Sequence, residues 1–420
     1  MSAESQVKAL LLTVAQDPAP AIASLQRYSP EMVCFFLPED RKPIVETEIP
    51  THLAKMPQRW DWIIARDPQS FADCHKVLAQ ELPSLLQTWG VSGGDLVIDL
   101  ACTTPPMAAA MTLVGFTYAS KVVYLVEVGT EQLSDAKVLA LGEKNWRETQ
   151  SNPWDDETPR IRQEASEFFN QGAFGVAARV FRLLESRVSG GLKPLYRALA
   201  DLAEGYRLWD QFHYRLAWEK LKGAAKALDL ASAWGGPAGM GPFLRGVKEN
   251  IRFLEQIVLD PQEIKPKVAH DLLAHAKRAT DRHRDVEVGT RVLLRALEAF
   301  AQSQLVQRHK IKSWDVDPER LPQDLKETCR TCFLNDTDGK YRLPLHAQFR
   351  ALAGLGDAMG ETFLAQWPKI KTLIDAADHA VLGQGFEPIK PERFHQLYEA
   401  VVKVTGTNEG DLPKFPTMTL

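Results

Sequence analysis

Leu96-Val-Ile-Asp-Leu-Ala-Cys-Thr-Thr-Pro-Pro-Met107 is the stretch on which the fold turns. Leu96 to Leu100 is a continuous apolar run of strand length, the form expected of a strand covered on both faces. A helix of small residues (AAAMTL) follows Met107. Thr103 and Thr104 are of a type that caps such a helix, and Pro105 suits its first turn. Working outward, Lys8 to Val14 (KALLLTV), Met32 to Leu37 (MVCFFL) and Val122 to Val128 (VVYLVEV) are further apolar runs, and Trp62 to Ala65 reads as a short strand. Helical segments are expected from Asp17 to Arg27 and from Phe71 to Trp89. Strands alternating with helices predict an α/β domain over residues 1–130, with a Rossmann-like parallel sheet.

From Gly129 to Pro159 the sequence turns polar and proline-containing (SNPWDDETPR), and residues 131–160 are expected to be a linker. Strand patterns then give way to apolar residues at three- and four-residue spacing over Ala165–Arg187, Leu195–Leu230, Phe243–Val258 and Ala269–Leu305. An all-α part is therefore predicted: a helical hairpin region over 161–260, a helical domain over 261–407 and a flexible tail over 408–420. Trp234–Pro242 and Asn335–Gly339 interrupt it with turn residues. Phe169-Asn-Gln-Gly-Ala-Phe174 and Trp209-Asp-Gln-Phe-His213 share a faint pattern, too few copies for a solenoid and better read as helix pairs in one bundle.

The chain of 420 residues carries a formal charge of −4. That balance lacks the basic stripe of a duplex-DNA binder, while leaving room for a local RNA channel. No apolar run approaches the ~18 residues of a membrane span. Gln6 to Val14 has neither the basic leader nor the cleavage site of a signal peptide, so a cytoplasmic protein is expected. Cys329-Arg-Thr-Cys332 lacks the second half of a zinc site, and Asp336-Thr-Asp338-Gly fails as an EF-hand because its glycine comes too early. No metal or cofactor is expected.

In ligand-binding parallel sheets the chemistry lies beyond the carboxyl ends of the strands, which singles out Ala15-Gln16 and Ala101 to Met107. The second stretch resembles the strand-to-helix motif of the CARF domain, usually Asp, an aromatic residue, then Thr-Gly-Gly-Thr-Lys-x-Met. Asp99, Thr104 and Met107 match, while Ala101, Cys102 and Pro105 stand where that motif has Thr, Gly and Lys. Trp209-Asp-Gln-Phe212 with Ala217, and Asp271 to Arg278 with Leu294 to Glu298 and Gln302, are similar in order and spacing to the helical half of the CRISPR-associated CARF-HEPN family. The resemblance implies a homodimer, or a partner within a type III CRISPR locus, whose CARF domains sense cyclic oligoadenylate and whose HEPN domains cut RNA. The ligand-binding candidates it marks are Ala15, Gln16, Cys102, Thr103, Thr104 and Met107, with backbone N–H groups at the helix start able to cradle a phosphate.

HEPN chemistry is implied to use an Arg and a His a few residues apart, in a run like Arg-Asn-x-Ser-x-Leu-Ala-His-Gly-Phe. Here the run is Ala377-Asp-His-Ala-Val-Leu-Gly-Gln-Gly-Phe386. Leu382, Gly385 and Phe386 fix the register and put Ala377 and Gln384 at the Arg and His positions. Gln cannot titrate and Ala offers no charge to a phosphate, so a degenerate site is expected. His379 is a weak substitute, set about 140° around a helix from Gln384. Arg278 with His283 and Arg207 with His213 also have suitable spacing; a solvated helix end accounts for the first and packing of a helix pair for the second. The leading expectation is a non-catalytic regulator or scaffold. A ribonuclease using displaced residues such as Arg278 and His283, and an interaction module that binds no nucleotide, are the alternatives.

Overall fold

In a computed structural model of the chain, which describes residues 7–14, 17–91, 94–129, 138–141, 144–233 and 236–420, the apolar runs lie side by side. They form β1 (Ala9–Leu12), β2 (Met32–Leu37), β3 (Arg59–Ile64), β4 (Leu96–Asp99) and β5 (Ala119–Glu127), interleaved with α1 (Ala19–Tyr28), α2 (Phe71–Trp89) and α3 (Pro105–Gly115). Successive side chains of a strand face opposite ways. Ala9 and Leu11 of β1 accordingly pack with Cys34, Ile98 and the inner faces of α2 and α3, while Leu10 and Leu12 pack with Val33, Phe35 and Leu25 of α1. Burial on both faces is why these strands read as unbroken apolar runs, each large side chain contributing roughly 1.5–3 kcal/mol.

Among the described residues the sheet has seven strands, five of them forming the parallel arrangement expected and two more added at one edge. Its order is β3-β2-β1-β4-β5-β7-β6, where β6 is Val138–Leu141 and β7 is Lys144–Ser151. β1 to β5 pair in parallel, but β7 runs antiparallel to β5 from Val122 opposite Ser151 to Glu127 opposite Trp146. Much of the expected linker is thus sheet. Its strand character is disguised because one of its inward residues is Glu148, 8% exposed and held by the Arg27 guanidinium at 3.1 Å and by the Tyr28 hydroxyl.

The helical part opens with α4 (Pro153–Asn170), α5 (Phe174–Arg187), α6 (Lys193–Asp210) and α7 (Tyr214–Ala233). The two faintly similar motifs form the same turn. Ala173 N–H donates to Phe168 O and His213 N–H to Leu208 O, both at 2.9 Å, with left-handed residues at Gly172 (φ +85°) and Phe212 (φ +62°). Beyond them come α8 (Met240–Val258), α9 (Pro266–Asp281), α10 (Val286–His309), α11 (Gln323–Cys332), α12 (Leu345–Gly354), α13 (Ala358–Asp378) and α14 (Pro391–Thr405). Asn335–Gly339 closes a small hairpin between β8 (Leu334–Asn335) and β9 (Lys340–Tyr341). The core here is built on Leu293, Leu297, Phe394 and Val401, with the Phe349 and Phe363 rings stacked at 3.9 Å.

Two compact units emerge, one of residues 1–164 and 179–197 and the other of residues 165–178 and 198–420. The fold class is therefore an α/β sheet domain followed by a helical bundle. No helix among the described residues is long and apolar enough to cross a membrane. The expected flexible tail is a correction. Leu412, Phe415 and Met418 are buried, and the Asn170 side chain brackets Met418, accepting from its N–H at 2.7 Å and donating to its carbonyl at 2.9 Å. An extended segment anchored by every third side chain has neither helical nor strand periodicity, so its order is invisible to pattern reading.

Candidate functional site

The carboxyl ends of β1, β2, β3 and β4 open into a cleft of about 510 Å³ bordered by Thr13, Arg41, Arg66, Cys102, Thr104 and Met107. Its floor is the turn from Ala101 to Thr104, where Cys102 adopts φ +61°. Side chains fasten this turn from several sides. Thr13 Oγ1 donates to Ala101 O at 3.0 Å, Thr103 Oγ1 to Leu100 O at 2.9 Å and Thr104 Oγ1 to Pro68 O at 2.6 Å. Asp99, 1% exposed, accepts from Ala101 N–H at 2.8 Å and from the Ser24 hydroxyl. Burial outweighs those hydrogen bonds and lifts its carboxyl to about 6, with the charge of Glu148 adding to the rise.

The helix start is less open to anions than its residue types promise. Pro105 and Pro106 have no N–H, Met107 N–H is taken by Thr104 Oγ1 at 3.3 Å, and Ala108 N–H by Thr104 O at 2.9 Å. The first turn is satisfied internally, which corrects the expected phosphate cradle. Positive charge in the cleft comes instead from Arg41 and Arg66, on the segments after β2 and β3, with Glu39 and Asp40 also on its rim. Cys102, Thr104 and Met107 border the cleft as the sequence suggests, and Thr103 is turned to Leu100. Ala15 and Gln16 lie outside the described residues.

The HEPN-like run begins at the last turn of α13. Ala377 is 1% exposed and packs with Ala380 and Ile389 against Val286 and Leu294 of α10. The helix ends at Asp378, so the geometry expected for His379 and Gln384 does not apply: they belong to a loop in which Gln384 N–H donates to Asp378 O at 2.6 Å and Gly385 N–H to Ala380 O at 3.1 Å. A β-carbon at Gly383 would come within 2.3 Å of Asp378 O, and one at Gly385 within 1.8 Å of His379 O, which accounts for both glycines. The Gln384 and His379 side chains are exposed, with His379 Nδ1 set 2.7 Å from Asp375 O. Two residues of α10 that sequence reading misses hold this loop. Arg291 pairs with Asp378 at 3.0 Å, and Glu287 accepts from Ile389 N–H at 2.6 Å and Leu382 N–H at 3.3 Å. Nothing in their local sequence marks them, because their partners lie almost a hundred residues away.

Arg278 and His283 do meet, but around a carboxylate. Both point at Asp210, Arg278 Nε at 3.8 Å and His283 Nε2 at 3.6 Å, and His275 Nδ1 approaches the same group at 3.3 Å. Burial would raise the Asp210 carboxyl, yet the hydrogen bond from His275 and the surrounding cations more than offset it and hold it below the usual range. Arg278 is only 8% exposed, lies 4.0 Å over the Phe415 ring and reaches Asp271 at 3.4 Å, so the solvated helix end is corrected to a buried ion cluster. Arg207 pairs with Glu204 at 2.7 Å, and the neighbouring Trp209 donates from its indole to Asp271 at 3.0 Å. The described residues contain no group of three or more His, Cys, Asp or Glu able to hold a metal ion.

Family comparisons agree with this architecture. Residues 160–254 match the Csm6 6H domain and residues 261–408 the Csm6 HEPN domain. The structure of Enterococcus italicus Csm6 bound to cyclic hexa-2'-fluoro-hexa-dAMP superposes with a TM-score of 0.60 at 10% identity, over 96% of each chain. Can2 from Sulfobacillus thermosulfidooxidans in complex with cyclic tetra-adenylate gives a TM-score of 0.25 at 10% identity, over 54% of this chain and 69% of that one, too low to carry an argument. No curated protein sequence matches the chain. What the fold and the two helical matches define is a CARF-HEPN accessory protein of type III CRISPR systems. Within that class, its helical half is Csm6-like, through the matches to the Csm6 6H and Csm6 HEPN domains.

Proposed function

We propose that this chain is a non-catalytic Csm6-family protein that binds a cyclic oligoadenylate through its sheet cleft and acts by binding, as a regulator or scaffold in antiviral defence. The observation that carries the reading is the pair Ala377 and Gln384 at the Arg and His positions of an otherwise intact, internally bonded loop. Without a titratable group at 384 the acid–base contribution, about 10²–10⁴-fold, is missing. Without a cation at 377 the developing phosphate charge has no partner. Support also comes from Arg278 Nε and His283 Nε2, which share the carboxylate Asp210. The cleft's size falls within the roughly 300–1,000 Å³ of small-molecule sites.

A fluorescent RNA-cleavage assay, with and without cyclic tetra- and hexa-adenylate, tests the reading together with mass spectrometry of nucleotide carried by the purified protein. Bound ring and no cleavage is the expected result. Cleavage abolished by Arg278→Gln or His283→Asn would establish the displaced-pair ribonuclease. A flat titration with both rings would leave an interaction module that binds no nucleotide.

A further inference from the structure

A second cavity lies within the helical unit, between the last turns of α9 and the ordered C-terminal segment. It encloses about 300 Å³ and is lined by Lys277, Arg278, Arg282, Tyr398, Lys414 and Phe415, with Asp281 and Glu409 as its carboxylates. Lys277 pairs with Asp281 at 3.2 Å, and Glu409 stands near the Tyr398 hydroxyl, whose ionisation it opposes after burial does. Arg278 is matched behind the wall by Asp271 and Asp210 through Nη2 and Nε, but its Nη1 is buried with no hydrogen-bond acceptor among the described residues.

Arg282 is the less satisfied of the two. Its Nη2 donates to Phe415 O at 2.9 Å, whereas its Nη1 is buried and lacks an acceptor among the described residues. Burial, and then the neighbouring charge of Arg278, disfavour its cation, and the charge of Asp210 offsets this only in part. Two adjacent guanidiniums that line one half-open cavity, each with a buried Nη1 that lacks an acceptor among the described residues, favour an anion there, because a buried donor left without an acceptor is costly. The planar fork of arginine fits phosphate in particular. Leu412, Pro413 and the rings of Tyr398 and Phe415 give the rest of the wall an apolar, partly aromatic character suited to a flat heterocycle. The volume sits at the small end of the roughly 300–1,000 Å³ range of ligand sites, which suits one nucleotide and not a ring of several.

We infer that the cavity between α9 and residues 409–415 is a binding site for a nucleotide-sized phosphate monoester, held by Arg282, Arg278 and Lys414. The ligand is a free nucleoside monophosphate or the phosphorylated end of an RNA, which present the same group. This site is separate from the sheet cleft and does not depend on the cleft's ligand.

Isothermal titration of the full chain with adenosine 5'-monophosphate, ribose 5-phosphate, inorganic phosphate and a 5'-phosphorylated tetranucleotide tests the inference. Saturable binding of the nucleotide is expected, weaker by tenfold or more for ribose 5-phosphate. Arg282→Gln should reduce it at least tenfold and the surface change Lys414→Gln about threefold. The melting temperature of unliganded Arg282→Gln should hold or rise, since a buried cation beside Arg278 is removed; a purely structural arginine would show a fall. Tighter binding of the tetranucleotide, with the same dependence on Arg282, identifies an RNA end, and preference for the mononucleotide identifies a free nucleotide. No heat with any phosphate at millimolar concentration, or equal affinity in both variants, overturns the site. Because no cyclic oligoadenylate enters the test, its failure is distinct from failure of the sheet cleft to bind a ring.

Discussion

Arg291 Nη2 donates to the carbonyl oxygen of Ala377 at 2.6 Å while its Nη1 pairs with Asp378 at 3.0 Å, so a single guanidinium closes the end of α13 and fixes where the following loop departs. Half-buried charged hydrogen bonds of this kind contribute about 1–2 kcal/mol after allowance for solvent. Arg291→Leu should lower unfolding free energy by about that amount in urea titration. It should also speed amide exchange over residues 380–389 before it affects β1 or β4. Unchanged exchange there would mean that Glu287 alone suffices.

The two degenerate positions should respond in opposite ways to restoration. Gln384 is exposed, so Gln384→His should change stability by no more than about 0.5 kcal/mol. Ala377 is packed against Val286 and Leu294, and Ala377→Arg should cost about 3 kcal/mol or more through overpacking and a buried charge. The double substitution is accordingly expected to fall short of ribonuclease activity, since the chain around position 377 has closed over the space a guanidinium needs. Recovery of cleavage in the double variant would show that α10 yields more readily than its packing indicates.

Asp99 gives the sheet domain a pH dependence of defined sign. Its carboxyl is raised from the ordinary 3.8 to about 6 in the folded chain, so between those values the folded state binds more protons than the unfolded one. Stability contributed at low pH is therefore lost as pH rises through about 4 to 6, by on the order of 2–3 kcal/mol for this group alone. Asp99→Asn should flatten that part of the profile in thermal unfolding while keeping an acceptor for Ala101 N–H. Retention of the same slope would assign it to a group other than Asp99.

Phe415 fills a ring cluster with Tyr206 and Trp209, at centroid distances of 4.8 and 4.9 Å. Phe415→Ala should cost about 3–5 kcal/mol, the range for a large core side chain, and should expose dye-binding surface in the helical unit. A change under about 1 kcal/mol would mean that the segment holds by its backbone contacts alone.

What could be read from the sequence follows from how locally each feature is encoded. The strands of the parallel sheet and the α2 helix are stated by runs and periodicities within their own few residues, and the same holds for the α3 cap at Thr104. β7 was obscured because Glu148 turns inward, a placement that only Arg27 and Tyr28, more than a hundred residues earlier, make tolerable. Burial of Arg278 depends on Asp210 and Phe415 arriving from two remote segments to join Asp271 of its own helix, and the charged run around it carries no trace of that meeting. The end of α13 at Asp378 is set by Arg291 and Glu287 of α10, remote in sequence, so the motif alone does not show that His379 and Gln384 lie in a loop, or that Phe386 is 97% exposed.

Consecutive prolines at the start of α3 also decide how a ligand of the sheet cleft would be gripped. With N–H donors withdrawn from that end, attraction falls to Arg66, which is exposed to solvent, and to Arg41, which is half-buried and shared with Asp40 at 3.5 Å. Such an arrangement has shallow angular preference and strong sensitivity to ionic strength, because the Debye length shrinks from about 30 Å at 0.01 M salt to about 8 Å at 0.15 M. Occupancy of the cleft would then track the salt content of its surroundings as closely as the concentration of the ligand itself.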